Sequence, residues 1–222
     1  MSASYTWSKN VDYLSRNTFG GPGTLNNPFD FFYSPGVSDY NRTHRFVNSF
    51  VWDLPGLNNN SAANAILGGW RLSGVLTLQS GRPFHIGASN NATAGAGSAR
   101  ADLIGSGGNP VLDTGRSKGE ILEAYFDTSR FANPEPNSFG NLGRNSIVGP
   151  GYGNFDMSLT KGWPLRFLTE STRIEYRFEA FNLLNATHLN NPTTGLTNPN
   201  FGKITGTSGD PRILQMALKL QW

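Results

Sequence analysis

The end of the chain alternates strictly between apolar and polar side chains. Five apolar residues fall at every second position, and they are Leu214, Met216, Leu218, Leu220 and Trp222. Between them stand Gln215, Ala217, Lys219 and Gln221. A period of two places the two sets on opposite faces of a β-strand. We therefore predict a strand with one apolar face at a position in the chain where disorder is common.

The same alternation occurs in five earlier stretches of the sequence. They are residues 3–9, 45–54, 70–79, 155–160 and 173–183. Gly74 interrupts the apolar row of its stretch without changing the phase of the alternation. The sequence therefore predicts six β-strands, each with one apolar face and one more polar face.

The connections between these strands alternate between long and short. They span residues 10–44, 55–68, 85–152, 164–171 and 185–211. Outer-membrane barrels produce such a series, because their short turns face the periplasm and their long loops face outside. We predict an all-β fold, namely an antiparallel up-and-down transmembrane β-barrel segment of about six strands that forms a partial barrel. In this orientation the short breaks at Pro55-Gly56 and Trp163-Pro164 lie on the periplasmic side, as does Trp222.

Composition favours a β protein with large loops and excludes several other classes. The chain holds 27 glycines and 13 prolines, which indicate many turns, and charged residues make up only 15% of it. The absence of cysteine excludes a disulfide framework, a thiolate metal site and a cysteine nucleophile. A net charge of +3 without a run of Lys or Arg gives no support for a nucleic-acid partner.

No arrangement of residues in the sequence indicates catalysis or a cofactor. Glu175 and Glu179 are four residues apart on one strand face, about 13 Å, which is too far for the paired carboxylates of a glycosidase. His44, His85 and His188 lack the spacing of metal ligands. No serine stands in the context of a nucleophile elbow. We expect no enzymatic activity, no metal and no cofactor.

A set of short motifs follows one order along the chain. The motifs are Ala3-Ser-Tyr-Thr-Trp-Ser-Lys9, His44-Arg-Phe46, Gly68-Gly-Trp-Arg-Leu-Ser-Gly-Val75, Gln79-Ser-Gly-Arg-Pro-Phe84, Phe139-Gly-Asn-Leu-Gly-Arg-Asn145, Gly149-Pro-Gly151 and Phe178-Glu-Ala-Phe-Asn-Leu-Leu-Asn185. Together with the terminal aromatic, they resemble the C-terminal part of TonB-dependent outer-membrane transporters. The likeness is to the Oar-like group, whose members carry a carboxypeptidase-regulatory-like domain ahead of the plug.

The resemblance implies a barrel of about 22 strands that closes around an N-terminal plug in the outer membrane of a Gram-negative bacterium. It also implies import of a scarce ligand, driven by the TonB system. The expected partners are outer-membrane lipid, the rest of the barrel with its plug, the TonB system and the barrel-assembly machinery. Since six strands leave two open edges, we expect residues 1–222 to be the C-terminal part of such a barrel domain, a fragment without the plug and the N-terminal strands.

The polar faces of two strands supply candidates for the wall of the lumen. They are Arg173, Glu175, Arg177, Glu179, Gln215 and Lys219. In a soluble protein, such a row would be a solvated sheet face with weak cross-strand pairs. In a barrel it faces the lumen, where structural pairing is favoured over direct contact with a ligand. The resemblance further implies that the barrel-assembly machinery reads the final aromatic strand through Leu218, Leu220 and Trp222.

Aromatic residues in the long connections are candidates for a ligand-binding mouth on the extracellular side. They are Phe31, Phe32, Tyr33, Tyr40 and Tyr125. Such rings stack well on sugars or aromatic chelators, although packing of the loops on each other or a place in the interfacial aromatic girdle is the favoured interpretation. Residues 118–126 are predicted to form one or two helical turns that pack within a loop.

A second class of protein is compatible with the same pattern of strands. In a secreted β-sandwich that binds carbohydrate through loop aromatics, the apolar row from Leu214 to Trp222 packs against another sheet. In a barrel segment that face meets only lipid. For the transporter, the ligand stays open among a siderophore, an oligosaccharide, a peptide and a cobalamin.

Overall fold

The computed structural model contains one large antiparallel sheet of six strands. It describes residues 1–15, 27, 29–30, 32, 35–56, 61–88, 99–105, 108–166 and 171–222. The six strands are β1 (Ser2–Trp7), β2 (His44–Asp53), β3 (Arg71–Gln79), β4 (Tyr152–Pro164), β5 (Arg173–Phe181) and β6 (Ile213–Gln221). Each strand pairs with the strands that precede and follow it in this series, so the predicted up-and-down order is confirmed. The sheet does not close into a barrel.

The register of the sheet brings the apolar rows of all six strands onto one face. Tyr176 lies opposite Leu218 in β6, and Leu159 in β4 lies opposite both Leu72 and Phe178. Strand β4 is longer than the predicted stretch 155–160, because pairing with β3 and β5 extends it at both ends. The alternation read from the sequence therefore gave the correct face for every strand.

The apolar face of the sheet is uncovered over most of its area. Leu218 is 70% exposed, Met216 is 68% exposed and Trp52 is 57% exposed. Among the described residues, the other sheets have only two strands each, and none of them forms the second layer of a sandwich. The alternative of a β-sandwich is therefore wrong for this chain, since its apolar row has no protein layer to pack against.

Gly74 allows two aromatic rings to close over the apolar face. Phe50 on β2 and Phe155 on β4 flank it, and their ring centroids are 6.4 Å apart. A Cβ atom at Gly74 would lie 2.8 Å from the Phe50 ring and 3.0 Å from the Phe155 ring. The glycine that interrupts the apolar row in the sequence thus provides the space in which the neighbouring rings lie.

The connection between β2 and β3 contains a short helix, which the sequence analysis did not predict. Helix α1 spans Ser61–Leu67. Alanine and leucine in this stretch favour a helix, but seven residues are too few for an isolated helix to be stable in water. Tertiary contacts are needed to hold α1, and a search for periodicity in the sequence does not detect them.

Three side chains from β4 and the start of β3 donate hydrogen bonds to the last carbonyl groups of α1. Lys161 Nζ donates to Asn64, Trp163 Nε1 donates to Ala65 at 2.6 Å, and Trp70 Nε1 donates to Ile66 at 2.9 Å. The carbonyl of Asn64 also accepts from the backbone N–H of Gly68 at 3.0 Å. Since the last carbonyls of a helix lack a partner in a further turn, the contacts of the two indole groups complete its C-terminus. Lys161 lies on the apolar side of the sheet, yet it is only 6% exposed. Helix α1 and the two indole rings therefore cover a charged group that would otherwise face the apolar surroundings.

Replacing Lys161 with methionine is expected to release the end of α1 from the sheet. The variant keeps the length of the side chain but loses the donated hydrogen bonds and the contact of the ammonium with the Trp70 and Trp163 rings, at 5.6 and 5.4 Å. We expect a loss of about 2 kcal/mol in local stability, seen as faster amide hydrogen exchange in residues 61–69. Lys219→Met, on the exposed polar face, is the matched control. Equal rates of amide hydrogen exchange in residues 61–69 of both variants would contradict the role of Lys161 in holding α1.

The described parts of the long connections pack together at one end of the sheet, and we call the described residues of 8–43, 80–151 and 182–212 the loop module. It contains helix α2 (Lys118–Glu123), a 3₁₀ turn at Thr128–Arg130, and three two-stranded ladders. The ladders pair Val11–Asp12 with Gly36–Val37, Pro83–Phe84 with Ile147–Val148, and Asp102–Leu103 with Phe131–Ala132. The predicted helical turn at 118–126 is confirmed as α2, and a capping box between Ser117 and Glu120 begins it. Among the described residues, no helix is long and apolar enough to span a membrane.

The buried hydrophobic core of the molecule lies in the loop module. Its members are Phe84, Ile86, Ala101, Tyr125, Phe126, Phe131, Leu142, Ile147 and Ile204. Phe126 is at the centre of this core. The centroid of its ring is 5.3 Å from that of Phe131 and 5.2 Å from that of Phe201. The sequence analysis interpreted most of this region as irregular loop, whereas the structure shows a packed unit at one end of the sheet.

Candidate functional site

The polar face of the sheet carries a row of linked charges on β5. Arg177 Nη2 donates to Glu175 at 3.0 Å, and its Nη1 lies 3.9 Å from Glu179. In the register, Glu175 is opposite Lys219 and Glu179 is opposite Gln215. Arg173 donates through Nε to Gln221. The structure thus brings all six lumen-wall candidates onto one surface of two adjacent strands.

The charges of this row are arranged for structural pairing. The side chain of Arg177 is about half exposed, and those of Glu175 and Glu179 are about a quarter exposed. Ion pairs in such positions contribute at most about 1 kcal/mol each. Since the row pairs within itself, it forms a polar wall with little net charge.

Further charged groups on the same face were not among the lumen-wall candidates, although the alternation placed Arg71 and Asp156 on the polar side of their strands. Arg71 on β3 donates to Asp53 on β2 at 2.6 Å. Asp156 on β4 accepts from Asn154 Nδ2 at 2.9 Å and from the backbone N–H of Asn182 at 2.8 Å. Asp53, Arg71 and Asp156 stand on three different strands, so only the strand register shows that they share a surface.

The aromatic candidates for the ligand mouth lie in different environments. Phe32 is 70% exposed and Tyr40 is 60% exposed, so both present surface to the surroundings. The Phe32 ring meets the Tyr13 ring edge to face at 5.3 Å. Phe31 and Tyr33 lie outside the described residues. The structure therefore leaves Phe32 and Tyr40 as the exposed aromatic residues of this set.

Tyr125 does not face the surroundings, in contrast to its expected place at the mouth. Its ring is 4% exposed in the core of the loop module, and its hydroxyl donates to the carbonyl of Val148 at 3.0 Å. Burial raises the pKa of the phenol to about 12. Tyr125 is next to Phe126 in the sequence, and both rings fill the core. This placement agrees with the loop-packing interpretation of the aromatic residues and not with a ligand platform at Tyr125.

The burial of Tyr125 predicts a loss of stability at high pH. An unfolded phenol ionises near pH 10, whereas the folded pKa is about 12. Because the folded pKa is the higher one, the contribution is fully present below pH 10 and is lost as the pH rises through 12. We expect the loop module to lose about 2 kcal/mol over this range, measured by denaturant unfolding. The Tyr125→Phe variant has no phenol to ionise, so it should not lose this stability between pH 10 and pH 12. If the variant lost as much stability as the unchanged protein, the prediction would be contradicted.

The motif at 139–145 connects two parts of the loop module. Arg144 Nη2 donates to Asp12 and to the carbonyl of Val37. Asn145 Nδ2 donates to the same carbonyl at 2.8 Å. His85 contacts Asn145 through Nδ1 at 2.9 Å, and burial lowers the pKa of this imidazole. The motif therefore holds the ladder that contains Asp12 and Val37 against the rest of the loop module.

Two other motifs meet through their glycines. A Cβ atom at Gly81 would lie 1.9 Å from the carbonyl oxygen of Gly149, and one at Gly149 would lie 2.0 Å from Asn191 Oδ1. The backbone N–H of Gly149 donates to the carbonyl of Arg82 at 2.9 Å. Only glycine permits this close approach. Residues of the motifs that suggested the resemblance thus form internal contacts of the loop module.

The three histidines are not gathered into one site. His44 Nδ1 is hydrogen-bonded to the Tyr5 hydroxyl at 2.8 Å, and His188 Nε2 is hydrogen-bonded to the carbonyl of Gly153 at 2.9 Å. Among the described residues, no three His, Asp or Glu side chains are grouped so that they would hold a metal ion. Each histidine has its own local partner.

Comparison with known proteins identifies one family. A family model described as "Outer membrane beta barrel domain" matches residues 1–215. No curated protein and no solved structure matches the chain. The match covers the first five strands, the first three residues of β6 and the whole loop module, and it omits residues 216–221 of β6.

Proposed function

Since the chain belongs to the outer membrane beta barrel domain family and lies in the outer membrane of a Gram-negative bacterium, we propose that it serves there in the energised uptake of a scarce ligand. In this proposal it is part of a TonB-dependent receptor and transporter of the Oar-like group. Its partners beyond lipid are the barrel-assembly machinery and the TonB system.

The observation that carries the proposal is the two-faced sheet. One face exposes apolar side chains such as Leu218, and the other carries the paired charges of β5. Charged side chains are accepted on a membrane-spanning strand where they face a polar lumen. A wall of this kind surrounds a water-filled or plug-filled interior, which is what a transporter of polar solutes requires.

The open edges of the sheet support its place in a larger barrel. Within the part of the chain that the structure describes, strand β1 pairs only with β2, and β6 pairs only with β5. Unpaired backbone groups at the edge of a sheet are not tolerated in lipid. We therefore propose that further strands pair with both edges and close the wall, with a plug inside it.

The assignment to the TonB-dependent class depends on the motifs in the loop module. Gly81, Gly149 and Arg144 make close internal contacts, so these motifs are constrained by packing. The loop module is at the end of the sheet opposite the short turn between β4 and β5. A packed extracellular module with exposed aromatic residues such as Phe32 and Tyr40 suits a receptor that captures its ligand before transport. In this proposal the protein has no catalytic role.

The proposal is tested by uptake in cells that produce the protein and in cells from which it has been deleted. The labelled probes are a ferric siderophore, a cobalamin, an oligosaccharide and a peptide. We expect one class of probe to accumulate only when the protein is present, and a protonophore or loss of TonB to abolish its accumulation. Uptake that depends on the protein but continues in de-energised cells would show a passive channel and would overturn the proposal.

A further inference from the structure

A polar pocket lies where the loop module meets the sheet. It has a volume of about 680 Å³ and opens between the start of β4 and the connections at 80–82 and 189–191. Side chains that line it include Arg42, Arg82, Tyr152, Asn190, Asn191 and Ser208. The volume is within the range of sites for small ligands.

The charged side chains of the pocket have only one sign. Arg42 and Arg82 are both cationic, and no Asp or Glu lines the pocket. Neither arginine forms an ion pair within the described part of the chain. Glu170 is the only acidic residue in the sequence outside the described residues. In the chain it comes between Pro164, which ends β4, and Arg173, which begins β5, and both of these residues are at the end of the sheet opposite the pocket. The pocket therefore carries positive charge that no carboxylate of the described residues neutralises.

The two guanidinium groups also act on each other. Arg42 is partly buried, and its Nη1 donates to the carbonyl of its neighbour Asn41 at 2.7 Å. Burial and then repulsion from Arg82 lower the pKa of the Arg42 guanidinium. Two cations held near each other without a counter-charge are stabilised by an anion that binds between them.

The remaining groups in the pocket suit hydroxyl groups. Asn190, Asn191 and Ser208 provide amide and hydroxyl groups that both donate and accept hydrogen bonds. The Tyr152 ring packs against the His188 ring, with centroids 4.2 Å apart and planes tilted by 33°, and this contact holds it in place. Aromatic faces of this kind suit the apolar side of a sugar ring. The pocket thus combines carboxylate-binding and hydroxyl-binding groups around a fixed aromatic ring.

We infer that this pocket binds an anionic, hydroxyl-rich ligand of the acidic oligosaccharide class, with Arg42 and Arg82 holding its carboxylates. The inference rests on the proposed uptake function for its biological role, because it names the class of ligand that the transporter captures. Binding itself is a property of the loop module and can be measured without transport.

The test compares two probes of the same size on the purified full chain in detergent. Trigalacturonate carries three carboxylates, and its fully methyl-esterified form carries none. We expect the acid to bind at least about tenfold more tightly than the ester, with an affinity that falls as salt increases. Arg42→Gln and Arg82→Gln should each weaken binding of the acid about tenfold and leave binding of the ester unchanged.

The control for charge is Arg166→Gln, which removes one exposed cation at the opposite end of the sheet. The Arg82→Gln variant keeps the hydrogen bond from the backbone N–H of Gly149, because the acceptor is the backbone carbonyl of residue 82 and not its side chain. Equal affinities for the acid and the ester, or unchanged affinity in both pocket variants, would overturn the inference. If the acid binds as expected but energised uptake is absent, the proposed function fails and the binding site stands.

Discussion

Replacing Leu218 with arginine is expected to prevent stable assembly of the sheet in the membrane. Leu218 is near the middle of β6 on the apolar face, and its side chain is 70% exposed. A charged side chain facing lipid at the middle of a barrel strand costs about 2–4 kcal/mol. Since the neighbouring Tyr176 and Leu220 are also apolar, the guanidinium would have no polar partner on that face.

The measurement is the fraction of the protein that resists urea extraction from outer membranes, together with its urea unfolding curve in lipid vesicles. The matched control is Gln215→Arg in the same strand. That arginine would lie on the polar face opposite Glu179, and we expect its effect to be within about 0.5 kcal/mol. If both variants lost the same amount of stability, the assignment of the apolar face to lipid would be wrong.

Replacing Gly140 with alanine is expected to disrupt the loop module while leaving the sheet intact. Gly140 has a φ of 73°, and a Cβ atom there would lie 2.0 Å from the carbonyl oxygen of Arg100 and 2.9 Å from that of Ala101. The left-handed conformation alone costs an L-residue about 1–2 kcal/mol. The overlap with rigid backbone adds to this, so we expect a loss of at least about 2 kcal/mol.

The loss should appear in the core that Gly140 adjoins. The backbone N–H of Leu142 donates to Ala101 at 3.1 Å, and this contact must move if the backbone at 140 moves. Limited proteolysis and near-ultraviolet circular dichroism report on the module, whereas far-ultraviolet circular dichroism reports mainly on the sheet. The Gly119→Ala variant is the control, because a Cβ atom there has nothing within 4 Å. Resistance to proteolysis that is equal in the two variants would contradict the prediction.

The six strands could be predicted from the sequence because their signal is local and strict. A period of two, kept over a whole strand, is required when one face meets an apolar environment and the other a polar one. The faces of β5 and β6 were read correctly for this reason, including the charges of Arg177 and Glu179. The pairing of Asp53 with Arg71 was not predicted, since it depends on the register between two strands.

The loop module could not be predicted because its contacts join residues that are far apart in the chain. Arg144 and Asp12 are separated by 132 positions, and no periodicity connects them. Glycines such as Gly81 were interpreted as turn residues, whereas they permit close approach of the backbone. Tyr125 was named as a candidate for the mouth beside the favoured loop-packing interpretation, because a position in a long connection does not distinguish a buried ring from an exposed one. Helix α1 was missed because side chains of β3 and β4 hold its end.

The position of the hydrophobic core in the connections, and not on the strands, means that this chain is stabilised by two different solvents. Water drives the burial of Phe126 and its neighbours, whereas the residues of the apolar face, such as Leu218, are stable because lipid surrounds them. Substitution should therefore follow opposite rules in the two regions. In homologues, an apolar position of the sheet should accept almost any other apolar side chain, while the core of the module should change only through compensated exchanges of volume.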